Sequence, residues 1–116
     1  MTDPDCIFCR IAAGTIPATI VHQDEHVVAF KDIAPQAPLH LVIVPREHFA
    51  GLDDLDETRA QALGHLALVA RDLARANGVD RSGWRLVANC GPDAGQTVFH
   101  LHFHLLGGGR MAGRMV

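Results

Sequence analysis

Histidine alternation at residues 99–109, which read FHLHFHLLGGG, constrains the fold of this chain more than any other feature. His100, His102 and His104 occupy every second position, and the residues between them are apolar. Strict alternation of two residue classes is typical of a β-strand with one buried face. We therefore predict a strand from which all three imidazoles leave on the same side.

The geometry of a strand limits what these three side chains can do together. Imidazoles two positions apart lie roughly 6.6 Å from each other, and the outer pair roughly 13 Å. All three therefore cannot bind one metal ion, whereas a small polar ligand lying along the strand could touch each ring. The alternative is a solvent-facing strand with histidine at its polar positions, since some of the eight histidines in the chain must be ordinary. We favour the ligand-binding interpretation because histidine is not a usual residue at exposed strand positions.

Length and charge limit the class of protein. A chain of 116 residues, 48% of them hydrophobic, is long enough for one domain with a hydrophobic core and too short for two. The formal net charge is -3 and the basic residues are dispersed, which argues against a duplex-binding protein but leaves a small anionic ligand open. The sequence has no apolar run of membrane-span length and no basic N-terminal region. We expect a cytoplasmic protein that binds neither nucleic acid nor membranes.

The three cysteines, Cys6, Cys9 and Cys90, do not suggest a disulfide framework because their number is odd. Cys6 and Cys9 form a C-x-x-C pair, but a redox pair is expected at a strand-to-helix turn, and only five residues precede Cys6. A zinc site and a pair of ordinary buried thiols both remain open. The zinc interpretation needs two further ligands from elsewhere in the chain.

The first half of the chain predicts a short helix, a hairpin and a central strand. Residues 6–14 have helical spacing and end at a glycine. Residues 19–22 and 27–31 are two strand-like runs separated by polar residues, which is typical of a hairpin. Asp32 follows at a strand end, where its carboxylate can meet a ligand. The continuous apolar run at residues 40–45 predicts a strand that is packed on both faces.

The second half predicts one long helix and two antiparallel strands. Residues 53–77 have helical periodicity, with Asp54 as the N-cap and Glu57 in the capping-box position. Residues 84–89 predict a strand that a loop joins to the histidine strand. Gly91 and Gly95 in that loop allow main-chain N–H groups to turn toward a bound anion.

Two chemistries are open to the histidine row. A neutral imidazole can attack phosphorus and form a phospho-histidine that water hydrolyses, and the central residue, His102, is best placed for this. The rival is a zinc hydrolase in which an H-x-H pair is joined by His40 or His48. The rival leaves one histidine of the row and the C-x-x-C pair without a role, so we favour nucleophilic attack.

Motifs along nearly the whole chain resemble the histidine triad superfamily of nucleotide hydrolases and transferases. The central motif is HLHFHLL at residues 100–106, which resembles the superfamily signature of three histidines alternating with apolar residues. The others are CIFCRI at 6–11, IPA at 16–18, AFKDIAPQAPLH at 29–40, VPREH at 44–48, Asn89, and GQT at 95–97. Together they are similar to the Hint branch, the purine nucleoside phosphoramidases.

The resemblance implies a fold and a reaction. The fold is α+β, with an antiparallel sheet of about five strands, one long helix and a short N-terminal helix, in a single domain that forms a homodimer. The reaction is attack by His102 on the α-phosphorus of an AMP or GMP amide, which leaves a nucleotidylated histidine for water to cleave.

The same motifs imply the residues that contact the nucleotide. The phosphate region would be contacted by His104, Asn89, Gly95, Gln96 and Thr97, with His40 close by. Asp32 would bind the ribose hydroxyls, and Phe8, Phe30 and Ile33 would form the wall of the base pocket.

Zinc-containing members of the superfamily resemble this chain at Cys6, Cys9, His48 and His100. Two thiolates and two imidazoles make a closed tetrahedral site, so the resemblance implies a structural zinc that takes no part in catalysis. It implies no organic cofactor.

Two departures from the Hint pattern bear on the substrate. Thr97 stands where serine is common, which is more similar to the dinucleoside polyphosphate hydrolase branch. Residues 107–116, GGGRMAGRMV, lack the aromatic and proline-rich ending of Hint proteins. The resemblance implies that this tail would help form the leaving-group side of the pocket across the dimer. Hydrolysis of dinucleoside polyphosphates, and a nucleotide-binding interaction module with little turnover, are therefore the alternatives.

Overall fold

A five-stranded antiparallel sheet with two helices forms the architecture of the computed structural model, which describes residues 2–111. The strands follow the order β1-β2-β3-β5-β4 across the sheet. The α+β fold predicted from the sequence is confirmed. No helix in the described part of the chain is both long enough and apolar enough to cross a membrane. The elements are α1 (Ile7–Ala13), β1 (Ile20–Gln23), β2 (Val27–Lys31), β3 (Leu39–Pro45), α2 (Glu57–Ala76), β4 (Trp84–Val87) and β5 (Phe103–Gly107).

Strand β3 is central and buried on both faces, as its continuous apolar run predicts. Leu41 and Ile43 point into one core cluster together with residues of α2 such as Leu66. Val42 and Val44 point the other way, into a second cluster with Ile11 of α1 and Phe30 of β2. The sheet therefore has α2 on one face and α1 on the other, and the site described below lies on the α1 face.

Helix α1 has the boundaries that the sequence predicts. Cys6 is its N-cap residue, and Gly14 ends it in the left-handed conformation with φ of 78°. That conformation is strained for residues with a side chain, which explains why a glycine ends this helix. The short helix thus begins at one predicted zinc ligand and carries the second, Cys9, in its first turn.

The N-cap of helix α2 lies two residues later than predicted. Its N-cap is Asp56, whose side chain accepts a hydrogen bond from the Arg59 main-chain N–H at 2.9 Å. The assignment of Asp54 was wrong because Asp54 closes a separate 3₁₀ turn, Leu52–Asp54, and its carboxylate accepts from the Gly51 N–H at 3.2 Å.

Only the second half of the predicted histidine strand forms a β-strand in the structure. β5 begins at Phe103, so His104 lies within it while His100 and His102 precede it. The reason is a long-range bond: the Leu101 N–H donates to the Phe49 carbonyl at 2.8 Å instead of to a sheet partner. β4 is also shorter than predicted. Val87 pairs with His104, and no β5 residue continues the ladder beyond that pair toward the predicted end at residue 89.

Asp24, in the turn between β1 and β2, connects the hairpin to α2. Its Oδ1 atom accepts from the main-chain N–H groups of His26 at 2.7 Å and Val27 at 2.9 Å. Its Oδ2 atom accepts from Nε2 of His22 at 2.7 Å and from Nε2 of His65 at 2.8 Å. Burial would raise the pKa of this carboxyl, but the hydrogen bonds outweigh burial and hold the pKa well below its ordinary value. His65 of α2 is therefore a structural partner of the hairpin.

Candidate functional site

A cavity of about 560 Å³ opens on the α1 face of the sheet, within the size range of small-molecule sites. The structure brings most of the predicted nucleotide-contacting residues to its wall, while His40 and Gln96 are buried and do not line it. The predicted residues that line it are Phe8, Phe30, Asp32, Ile33, Asn89, Gly95, Thr97, His102 and His104.

His102 is held in one tautomer by the chain itself. Its Nδ1 atom lies 2.8 Å from the main-chain carbonyl oxygen of His100, and a carbonyl can only accept. Nδ1 therefore carries the proton, and the lone pair of the neutral ring is on Nε2. The ring of Phe8 packs edge-on against His102 with centroids 4.9 Å apart, which restricts the imidazole from the side of α1. This is the arrangement that a nucleophilic imidazole needs.

His104 and His40 form a hydrogen-bonded pair next to the predicted nucleophile. His104 Nδ1 lies 2.8 Å from His40 Nε2, and the ring of His104 is 5.1 Å from the ring of His102 between centroids. The pKa of His104 is lowered, first by burial and then by the neighbouring His102 and His40. His40 is also 3.4 Å from Oδ2 of Asp32, whose carboxylate is at the cavity wall. The pair thus extends from His40, which is buried, to His104, which lines the cavity.

Aromatic and aliphatic side chains form one wall of the cavity. Phe8 of α1 and Phe30 of β2 contact each other with ring centroids 5.5 Å apart. Ile33 is fully exposed at the rim, and Ile7 is half exposed on the side of α1. Large apolar side chains left open beside a cavity are typical of a surface that receives the flat face of a ligand.

The loop before the histidine motif is held in shape by Gln96. Its Oε1 atom accepts from the Gly91 N–H at 2.8 Å, and its Nε2 atom donates to the carbonyls of Ala50 at 2.7 Å and Val98 at 3.1 Å. Gly91 and Gly95 have φ values of 89° and 87°, which glycine adopts without strain. The Gln96 side chain is therefore occupied by the loop, and the loop presents Thr97 and the backbone at Gly95 to the cavity.

A second cluster, which we call the thiol–imidazole cluster, consists of Cys6, Cys9, His48 and His100. Their ligand atoms all lie within 4.8 Å of one another. His100 Nδ1 is 3.5 Å from both sulfurs and 3.1 Å from Nδ1 of His48, and Cys9 Sγ is 3.5 Å from that same His48 atom. The sequence resemblance implied this set, and the fold brings all four together.

The distances in the thiol–imidazole cluster fit zinc. Ligands on a tetrahedron around Zn²⁺ are separated by roughly 3.5 Å for sulfur and nitrogen and roughly 3.3 Å for two nitrogens. His100 Nε2 donates to the Pro45 carbonyl at 2.7 Å, so its Nδ1 atom carries the lone pair that a metal needs, and burial lowers the pKa of this ring. The Asp3 N–H lies 3.4 Å from Cys9 Sγ, and Asp3 Oδ2 lies 3.9 Å from His48 Nε2. Both contacts are of the kind by which residues that do not bind the metal orient those that do.

One contact at the site could not be predicted from the sequence. The main-chain N–H of Gln36 donates to Nδ1 of His40 at 3.0 Å. A main-chain donor has no side-chain signature, so no motif reveals it. The only signal is the position of Gln36 between Pro35 and Pro38, which restricts the conformation of that loop.

Comparisons with known proteins show what the chain as a whole is similar to. Residues 5–114 match a protein-family model described as the scavenger mRNA decapping enzyme C-terminal binding domain. The chain is 42% identical over 104 residues to the purine nucleoside phosphoramidase of Escherichia coli K12, covering 90% of this chain and 87% of that one. It is 42% identical over 113 residues to a 14 kDa zinc-binding protein of Zea mays, covering 96% and 88%. A solved HIT family hydrolase from Clostridium thermocellum superposes with a TM-score of 0.96 at 45% identity, covering 99% of this chain and all of that one.

Proposed function

The chain belongs to the histidine triad (HIT) superfamily, and we propose that it hydrolyses the P–N bond of purine nucleoside 5′-phosphoramidates such as AMP and GMP amides. The observation that carries the proposal is the bond from Nδ1 of His102 to the His100 carbonyl, which leaves the Nε2 lone pair of His102 for attack. The similarity to a purine nucleoside phosphoramidase supports the substrate class.

The proposed reaction has two steps. In the first, Nε2 of His102 attacks the α-phosphorus, a P–N bond forms to the imidazole, and the P–N bond to the leaving amine breaks. The amine departs with the bonding electron pair and takes a proton from the solvent, and His102 is left nucleotidylated. In the second step water attacks the same phosphorus, His102 leaves with its electron pair, and the water's proton is released. Each step is a displacement at phosphorus that needs no redox partner.

Residues of the cavity hold the nucleotide in this proposal. Asp32 accepts hydrogen bonds from the ribose hydroxyls, and Phe8, Phe30 and Ile33 enclose the purine. Asn89, Thr97 and the main chain at Gly95 contact the phosphate, and Gln96 acts on it through the loop that it holds together. His104 stands beside the nucleophile at the phosphate, with His40 behind it.

We propose that the thiol–imidazole cluster holds a structural zinc ion. With two thiolates and two imidazoles all four positions of the metal are filled, so the metal has no open position for substrate. The metal supplies cohesion between α1, the His48 loop and the segment at His100. Phe8, which follows Cys6 by two residues on α1, is thereby held against His102. No organic cofactor enters the proposed reaction.

We further propose that the protein acts as a homodimer in the cytoplasm. β4 lies at one edge of the sheet, and a sheet edge is a position where a strand of a second copy can be added. Light scattering coupled to size exclusion tests the dimer, and a monomer at micromolar concentration would contradict it.

The test of the reaction is to mix the protein with an AMP amide and follow the release of AMP. The variant His102→Ala should lose activity, while His26→Ala is the matched control, because His26 packs against His65 and does not line the cavity. Mass spectrometry of the quenched reaction should detect the nucleotidyl adduct on His102. Equal turnover by His102→Ala would overturn the proposal.

Thr97 at the cavity wall favours one alternative, the hydrolysis of dinucleoside polyphosphates. The ratio of kcat/KM for a diadenosine polyphosphate to that for an AMP amide decides between the two substrates. A third outcome, tight AMP binding with negligible turnover of every amide and polyphosphate, would identify a nucleotide-binding interaction module.

A further inference from the structure

We infer that the main-chain N–H of Gln36 is a positioning group for the reaction: acting through His40, it fixes His104 as a hydrogen-bond donor to the phosphoryl group. The identity of the ligand rests on the proposed function. The chain of hydrogen bonds from Gln36 to His104 is a property of the protein alone and can be tested without a substrate.

The first step concerns His40. The Gln36 N–H donates to His40 Nδ1 at 3.0 Å, so that nitrogen accepts and carries no proton. A neutral imidazole has one N–H and one acceptor nitrogen. The proton of His40 is therefore on Nε2, and Gln36 has selected the tautomer.

The second step concerns His104, whose tautomer follows from the tautomer of His40. His40 Nε2 lies 2.8 Å from His104 Nδ1, and since His40 donates here, His104 Nδ1 accepts. The one proton of His104 is then on Nε2, and His104 lines the cavity. Oδ2 of Asp32, 3.4 Å from His40 Nε2, is an acceptor and favours the same placement of the proton on His40.

The third step concerns charge. A second proton on His104 would have to enter at Nδ1, which already faces the N–H of His40, and this contact opposes protonation of His104. The groups that face His104 are His102, His40 and Asp32. Burial lowers the pKa of His104, followed in size by His102 and His40, while Asp32 acts in the opposite direction. His104 is therefore a neutral donor near pH 7.

The same proton positions exclude a metal ion bound by Asp32, His40 and His104. Ligand atoms of Asp32, His40 and His104 lie within 4.8 Å of one another, close enough to suggest a metal site. A metal at His40 Nε2 needs the lone pair there and the proton on Nδ1, where the Gln36 N–H points. His100 has the opposite arrangement, since its Nε2 donates to the Pro45 carbonyl and frees Nδ1. We therefore assign a hydrogen-bond chain to Asp32, His40 and His104 and a metal to the thiol–imidazole cluster.

The consequence is that two adjacent rings have opposite roles. His102 has its lone pair on Nε2, and His104, 5.1 Å away between centroids, has an N–H on Nε2. Negative charge on the phosphoryl oxygens in the transition state is stabilised by a fixed donor and opposed by a lone pair. If the hydrogen bonds from Gln36 to His104 ran in the opposite direction, His104 would present a lone pair to the phosphoryl oxygens and would repel them.

The direct test is NMR of the zinc-loaded, nucleotide-free protein with ¹⁵N-labelled histidine, in which couplings between ring nitrogens and ring carbon-bound protons report each tautomer. We expect His40 and His104 as Nε2–H tautomers and His102 as the Nδ1–H tautomer. An Nδ1–H tautomer at His40 or His104 would overturn the inference. Inactivity toward every nucleotide substrate with the expected tautomers would instead refute only the proposed function.

A pair of variants tests the origin of the polarity. Gln36→Pro removes the N–H, whereas Gln36→Ala keeps it and removes only an exposed side chain whose Nε2 atom donates to the Ala34 carbonyl at 2.9 Å. We expect kcat to fall about 10- to 100-fold in Gln36→Pro, with mixed tautomers at His40 and His104, and to change less than about twofold in Gln36→Ala. A folded Gln36→Pro variant that keeps both Nε2–H tautomers would overturn the inference. If Gln36→Pro does not fold, the tautomers of the unaltered protein decide.

Discussion

Nδ1 of His48 lies 3.1 Å from Nδ1 of His100, although the two residues are 52 positions apart in the chain. His100 donates through its other nitrogen to the Pro45 carbonyl, so its Nδ1 atom presents a lone pair to His48. Two thiols complete the arrangement. A cation bound between these four atoms is the simplest way to satisfy them all.

We predict about one zinc ion per chain, lost when Cys6 and Cys9 are both replaced by serine. The double variant should be destabilised by at least about 2 kcal/mol, which corresponds to a fall in Tm of roughly 8 °C or more. Elemental analysis and thermal unfolding measure the two effects. Cys90→Ser is the matched control, because Cys90 lies outside the thiol–imidazole cluster. A double variant that still binds zinc at full stoichiometry would contradict the ligand assignment.

Replacement of Phe8 should weaken nucleotide binding more than it weakens the fold. Phe8 contacts Phe30 and the edge of His102, and it lines the cavity. Loss of its ring in Phe8→Ala should raise the Kd for AMP about tenfold, since one aromatic contact contributes about 0.5 to 1.5 kcal/mol beyond the apolar area that it buries. Calorimetric titration measures the affinity. Phe8→Leu keeps most of the apolar surface, so its Kd for AMP should lie between those of the unaltered protein and Phe8→Ala. An AMP affinity unchanged in Phe8→Ala would show that Phe8 is not part of the base pocket.

Asp24→Asn should destabilise the protein by about 1 to 3 kcal/mol at pH 7, because the carboxylate accepts hydrogen bonds from His22, His65 and two main-chain N–H groups. The pKa of Asp24 is lowered from 3.8, so its contribution is complete above that value and is lost as the pH falls below it. The difference between the variant and the unaltered protein should therefore shrink under acid conditions. Urea unfolding from pH 7 to pH 3 measures this. Asp72→Asn, at an exposed pair with Arg71, is the control and should change stability by less than about 0.5 kcal/mol.

His104 should make the protein less stable as the medium becomes acidic. Its pKa is lowered from 6.5, so below that value the unfolded chain binds a proton that the folded chain resists, and stability is lost as the pH falls. His104→Asn should reduce the slope of unfolding free energy against pH between about pH 6.5 and pH 5, by at most about 1.4 kcal/mol per pH unit. Urea unfolding of the zinc-loaded proteins gives both slopes. Identical slopes would mean that His104 is as easily protonated in the fold as in the unfolded chain.

The fold could be predicted from the sequence wherever the information is local or periodic. The apolar run of β3 and the glycine that ends α1 are of this kind. The start of α2 was misplaced because Asp53, Asp54 and Asp56 all have the chemistry of an N-cap, and only the 3₁₀ turn decides among them.

The site could be predicted less completely because parts of it depend on the main chain of distant residues. The strand at the histidine motif was predicted too long because the Leu101 N–H bonds to Phe49, a pairing across the molecule that alternation does not encode. The predicted participation of residues 112–116 in the leaving-group side of the pocket lies outside the described residues. The role of Gln36 was not predicted because its side chain takes no part in it.

His100 contributes to the molecule through two separate groups: its imidazole faces the thiols, and its carbonyl fixes the tautomer of His102. Every amino acid brings the same carbonyl to position 100, whatever its side chain. The proposed metal site therefore uses the side chain at position 100, whereas the tautomer of the proposed nucleophile depends on the main chain there. Substitution of the His100 side chain would thus remove one proposed zinc ligand without removing the hydrogen-bond acceptor of His102 Nδ1.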